Sequence, residues 1–200
     1  MEAYETEEQQ VEALKKWWQE NGKAIIAGAV IGLGGLFGWR AFQAHQLEQR
    51  ELASDAYQAA QVQLNSGNLT AVENFIGEFG TSEYAALAAL QLAKAQVDAD
   101  DLSGAMEQLQ WVADNSKDDV LVTLANVRLA RLLIATEQLD AAEKSLATIS
   151  AASWQSKVLA LQGDIALQRG DHDAARTAYT ESIALENDPV IKMKLDDLAQ

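Results

Sequence analysis

Between Lys23 and Arg40 the chain runs for 16 residues, Ala24 to Trp39, without a charged side chain. Such a run must leave water, as a buried core helix, a cleaved signal peptide or a membrane span. About 20 apolar residues normally cross the hydrocarbon core. The flanks make up the shortfall: Lys23 and Arg40 have stems long enough to snorkel, and Ala41-Phe42 extend the apolar run. Trp18 and Trp39 stand 21 positions apart. On a helix that is about 31 Å, which sets an aromatic belt at each face of a core about 30 Å thick. The glycines at 28, 32, 34, 35 and 38 would each weaken a helix in water by about 1 kcal/mol. In lipid the backbone has no better alternative than bonding internally. The preceding stretch is too long and too acidic for a signal peptide, with Glu2, Glu5, Glu7, Glu8 and Glu12, and no Ala-x-Ala cleavage site follows. The segment reads as an uncleaved transmembrane signal anchor over residues 23–44.

Cations decide orientation more than anions do. Lys15, Lys16 and Lys23 precede the span, and Arg40 and Arg50 follow it. The narrow excess places the N-terminus inside and the C-terminus outside. Residues 1–22 then form a short acidic cytoplasmic tail. Its first ten residues are too polar to pack, and Val11, Leu14, Trp17 and Trp18 predict a short juxtamembrane helix. Within the span, Gly28, Gly32 and Gly35 fall on one helical stripe, widened by Gly34 and Gly38. Small residues at that spacing let a second transmembrane helix approach closely.

The remaining residues, 45–200, carry 11 Lys and Arg against 24 Asp and Glu. That balance argues against nucleic acid as a partner. One Pro and a wealth of Ala, Leu, Gln and Glu point to an all-α domain. The domain repeats. Four segments align, Ala60 to Ile76, Ala93 to Leu109, Ala130 to Leu146 and Gly163 to Tyr179, with spacings of 33, 37 and 33. Each opens on a small residue. Twelve positions on comes Val72, Ala105, Ala142 or Ala175, and sixteen on comes Ile76, Leu109, Leu146 or Tyr179. The polar pairs Gly67-Asn68, Asp100-Asp101, Glu137-Gln138 and Gly170-Asp171 interrupt each segment as turns. The pattern predicts two short helices per unit, stacked because no unit buries its apolar face alone. Asp188-Pro189 starts a further helix that caps the array.

Chemistry is sparse. The chain has no Cys and two His, His45 and His172. It has no Walker, Rossmann, nucleophile-elbow or zincin motif. A calcium loop starting at Asp98 would need Gly where Ser103 stands and Glu where Leu109 stands. Asn68-Leu69-Thr70 is a glycosylation sequon by pattern alone. Trp111 and Trp154 read as filling gaps between repeats. No enzyme, cofactor or metal site is implied.

The unit resembles tetratricopeptide (TPR) repeats of 34 residues, with the family's first-helix signature degenerate. The fold expected is therefore all-α: one transmembrane helix, then a TPR-like α-solenoid of about four helix pairs plus a cap. The whole chain resembles the YfgM family, ancillary subunits of the bacterial SecYEG translocon. The likeness rests on Met1-Glu2-Ala3-Tyr4-Glu5, Gln10-Val11-Glu12-Ala13-Leu14-Lys15, Glu20-Asn21-Gly22-Lys23-Ala24 and Gly38-Trp39-Arg40. The resemblance implies a single-pass type II protein of the inner membrane with a periplasmic TPR domain over 45–200. It also implies association with SecYEG and PpiD, and transfer of secreted clients to chaperones such as SurA and Skp. Competing readings are a scaffold for another envelope complex and a cytoplasm-facing regulator. In TPR arrays the inner groove is lined by first-helix positions. Here those are Leu90, Lys94 and Val97 of unit two and Val127, Arg131 and Ile134 of unit three.

Overall fold

The computed structural model describes residues 7–198. The acidic start that carries part of the YfgM resemblance, residues 1–6, lies outside the described residues. Among them run α1 (Glu7–Asn65), α2 (Leu69–Phe79), α3 (Glu83–Asp98), α4 (Leu102–Asn115) and α5 (Asp119–Ala135). Then follow α6 (Leu139–Ala147), a 3-10 turn (Ala152–Trp154), α7 (Gln155–Gln168), α8 (His172–Leu185) and α9 (Pro189–Asp197). Packing divides the chain into two compact units, at Leu52/Ala53.

The first unit is the long N-terminal part of α1. Its helix starts at Glu7, inside the stretch read as unstructured, and no separate juxtamembrane helix forms. The cause is local: α1 contains no Pro, and its flanking residues are strong helix formers. Along it Ile25, Ile26, Val30, Ile31, Leu33, Leu36 and Phe37 are 40–74% exposed, so the apolar surface meets no other part of the unit. Its most apolar window has a mean hydropathy of 1.6, and the helix is long and apolar enough to cross a membrane. Residues 45–52 group with this unit rather than with the repeats.

The second unit is the repeat array. The end of α1 packs on α2 and α3 through Tyr57, whose ring meets Phe75 and Tyr84 and whose hydroxyl accepts from Gln91. Helix α3 pairs with α4, α5 with α6 and α7 with α8, and α9 lies on α8. The expected register holds. Ala60, Ala93 and Ala130, and then Val72, Ala105, Ala142 and Ala175, are buried, as are Ile76, Leu109, Leu146 and Tyr179. The buried residues form two clusters, a large one from Ala60 through units one to three to Ile165 of α7, and a small one of Ala160, Ala175, Tyr179 and Ile191 at the C-terminal end. Burying each large aliphatic contributes about 2–3 kcal/mol. The long spacing between units two and three has a simple origin. Helix α4 has 14 residues against 11 in α2, so an extra stretch of second helix is inserted there.

The four turns share one construction. Gly67, Asp100, Glu137 and Gly170 occupy the left-handed region, at φ 85°, 63°, 60° and 78°. The following N–H reaches back five residues in each: Asn68 to Gln63, Asp101 to Gln96, Gln138 to Leu133 and Asp171 to Ala166, at 2.8–2.9 Å. This is the Schellman closure of a helix C-terminus. The same residue then serves as N-cap of the next helix. Asn68, Asp101 and Asp171 accept from Ala71, Gly104 and Ala174, whereas Gln138 makes no side-chain cap bond. One residue thus ends one helix and starts the next.

Unit four departs from the others at two linked positions. Its large residue is Tyr179, and a Cβ at Gly163 would collide with the Tyr179 ring. Glycine stands there because the ring fills the space that Ala occupies in the other units. The buried Tyr179 hydroxyl donates to Asp164 Oδ1 at 2.7 Å, and Lys194 Nζ donates to the same oxygen at 2.6 Å. Burial, and then the bond to the Asp164 carboxylate, push the Tyr179 phenol pKa above its ordinary value.

Candidate functional site

Two surfaces carry the residues singled out by sequence. On α1, Gly28, Gly32 and Gly35 are exposed, and a Cβ on any of them would meet nothing within 4 Å. They are open on the helix surface, the condition a helix–helix contact face requires.

The second surface lies on the first helices of units two and three. Leu90, Ala93, Lys94 and Val97 of α3, Leu109 of α4, and Arg128, Arg131 and Leu132 of α5 line a depression of about 330 Å3. It brings together four of the six groove residues named from sequence: Leu90, Lys94, Val97 and Arg131. Val127 and Ile134 are not among them. They are 2% and 7% exposed and belong to the core. The reason is that α5 has first helices on both sides, α3 and α7. Neighbours on two sides bury a wide arc of α5 and leave Arg128, Arg131 and Ala135 as its open stripe. Arg128 was missed by sequence. The available signal was its position three before Arg131 on the same helix.

No carboxylate lines this depression. Lys94 pairs along its own helix with Asp98, Nζ to Oδ2 at 2.6 Å, both well exposed. Among the described residues neither Arg128 nor Arg131 has a carboxylate within 4.0 Å. A second depression of about 420 Å3 adjoins at Arg131 and continues past Lys157 of α7 to Lys194 of α9. Its carboxylates are engaged: Glu186 with Lys157 at 3.2 Å, Asp164 with Lys194, and Asp188 capping α9.

On other faces the charged groups serve structure. Arg169 holds Glu143 and Asp140, tying α7's end to α6, and these bonds raise the guanidinium pKa further above its ordinary value. The acidic run that lacks the Gly and Glu of a calcium loop is spent on Lys94 (Asp98) and on the α4 cap (Asp101). No group of three or more metal-ligating side chains occurs among the described residues. Asn68 of the sequon is used as the α2 cap. Trp111 and Trp154 pack against the core.

The stacked helix pairs define a TPR-like helical-repeat protein with a long apolar helix ahead of the repeats. The Tetratricopeptide repeat-like domain family matches residues 15–200. Among curated proteins, the chain is 38% identical to the ancillary SecYEG translocon subunit of Escherichia coli (strain K12), over 100% of both chains. It is 34% identical to that of Haemophilus influenzae, over 96% of this chain and 97% of the relative. With that of Neisseria gonorrhoeae the identity is 27%, over 99% and 100%. The chain belongs to the family of ancillary SecYEG translocon subunits, the YfgM family.

Proposed function

We propose that this chain is a non-catalytic, membrane-tethered adaptor of the SecYEG translocon that helps hand translocated proteins to periplasmic chaperones. The observation that carries the reading is similarity to the Escherichia coli translocon subunit over the full length, apolar helix included. The uncovered apolar surface of α1 supports a membrane anchor over 23–44. The cation bias across it, Lys15, Lys16 and Lys23 against Arg40 and Arg50, supports residues 1–22 in the cytoplasm and 45–200 in the periplasm. The exposed Gly28, Gly32 and Gly35 supply a face on which a translocon helix can pack. The repeats supply the surface that meets PpiD, secreted clients and chaperones such as SurA and Skp.

The test has two parts. An alkaline phosphatase fusion after Gln200 should be active only if the C-terminus is periplasmic, and an inactive fusion in membranes that contain it overturns the topology. Gly28→Leu with Gly32→Leu keeps the helix apolar and blocks close approach. Membrane insertion should survive while co-purification with SecYEG drops at least about tenfold, or 1.4 kcal/mol. Undiminished co-purification excludes this face as the contact.

A further inference from the structure

Residues 45–200 hold more than twice as many carboxylates as cations, 24 against 11. Five of those 11 cations nevertheless line two adjoining depressions: Lys94, Arg128, Arg131, Lys157 and Lys194. Three are neutralised by carboxylates of their own unit, Lys94 by Asp98, Lys157 by Glu186 and Lys194 by Asp164. Arg128 and Arg131, on the open stripe of α5, have no such partner among the described residues. What sets these two apart is their setting: three positions apart on one helix, they line a depression that has no Asp or Glu among its lining residues. Beside them Val97 is 39% exposed and Leu132 half-buried, so an aliphatic shelf adjoins the two charges.

We propose that Arg128 and Arg131 are a reading site for two acidic side chains of an extended polypeptide from a separate protein. The aliphatic residues preceding them in that polypeptide rest against Val97, Leu90 and Leu132. The reading rests on the adaptor function proposed above and names the chemistry of what its groove accepts. Charge complementarity selects the occupant. A guanidinium takes a carboxylate through two parallel N–H···O bonds, which a lysine cannot do. Spacing selects its conformation. Residues three apart on a helix have Cβ atoms about 5–6 Å apart, and alternate residues of an extended strand lie about 6.5 Å apart on one face. Two acids at i and i+2 therefore match the two arginines. Aliphatic residues at i−2 and i−4 lie on that same face of the strand.

The full chain in detergent is titrated into a fluorescein-labelled synthetic peptide with two Leu and then two Glu at alternate positions, Ser between them. Fluorescence anisotropy reads the affinity. The same peptide with Gln for Glu is the control, and circular dichroism checks the fold of each variant. The Glu peptide should bind at least about tenfold more tightly than the Gln peptide. Its affinity should fall with added salt. Arg128→Gln with Arg131→Gln should erase the Glu preference and leave the melting temperature unchanged. Equal affinity of the two peptides, no binding of either, or a preference that survives the double substitution overturns the proposal. So does a wild-type chain that self-associates through these arginines, shown by loss of the dimer in the double variant, because the occupant is then a second copy. SecYEG co-purification of the wild-type chain separates the two readings. If it persists while the wild-type chain shows no preference for the Glu peptide, only the groove assignment fails. If wild-type co-purification itself fails, the adaptor reading fails first.

Discussion

Glu137 and Gln138 occupy a joint that two other units build from better residues. Glu137 stands at φ 60°, where units one and four place Gly67 and Gly170. An L-residue with a Cβ in that region costs about 1–2 kcal/mol. Glycine removes that cost but adds freedom to the unfolded chain, a loss of about 0.4–1 kcal/mol. Glu137→Gly should therefore stabilise the array by about 0.5–1 kcal/mol. Gln138 follows as an N-cap without a side-chain cap bond, where unit four has Asp171 bonded to the Ala174 N–H at 3.0 Å. Its amide donates instead to Thr136 Oγ1 at 3.0 Å, in an exposed position. Gln138→Asp exchanges that weak bond for a cap and should add about 0.5–1 kcal/mol. The two changes together should contribute about 1–2 kcal/mol, a rise in Tm of about 3–6 °C for a domain of this size. Thermal melting of the detergent-solubilised chain, followed by circular dichroism, measures it. Gly170→Ala is the reverse control and should cost about 1 kcal/mol. A neutral or destabilising Glu137→Gly alongside a harmless Gly170→Ala would refute the shared construction of the turns.

Gly163→Ala should cost about 1–3 kcal/mol by driving a methyl into the Tyr179 ring. Tyr179→Leu in that background should recover part of the loss, and additive losses in denaturant titration would show that the two positions do not share space. The raised Tyr179 pKa favours the protonated phenol in the folded state. Its contribution is then complete below the unfolded pKa of about 10, and is lost as pH climbs from there through the folded value. Tyr179→Phe should lower stability by about 1 kcal/mol at neutral pH through the lost bond to Asp164. It should also flatten the alkaline decline in stability, and an unchanged decline would assign that slope to other groups.

The repeat register was legible because packing imposes it at fixed spacing: Ala93 must be small where Leu109 is large, and Ala130 where Leu146 is. The turns were legible as turns from their polar pairs. Their shared left-handed residue was not, since Asp100 and Glu137 carry no glycine signal. The groove was half legible. Placing Val127 and Ile134 beside Arg131 treated α5 as a helix with one buried face. With α3 and α7 beside it, the open stripe turns toward Arg128. Gly163 was legible as small, but its need to be glycine follows only from the ring of Tyr179 lying against it. The start of the repeat unit was not legible to the residue: the expected span stops at 44 and the compact repeat unit begins at Ala53, and between them the polar stretch 45–52 continues α1 without a break.

The joints have a kinetic consequence. At each one the bonds that close one helix and open the next span a handful of residues, from Gln63 to Ala71 in unit one and from Ala166 to Ala174 in unit four. A hairpin so specified can nucleate as soon as its own residues are free, without waiting for a distant strand or a closing terminus. Each completed pair then offers the next one a ready apolar face, and order propagates along the chain by nearest neighbours. Amide exchange should accordingly open the array from its ends, with α9 exchanging ahead of α3 and α5.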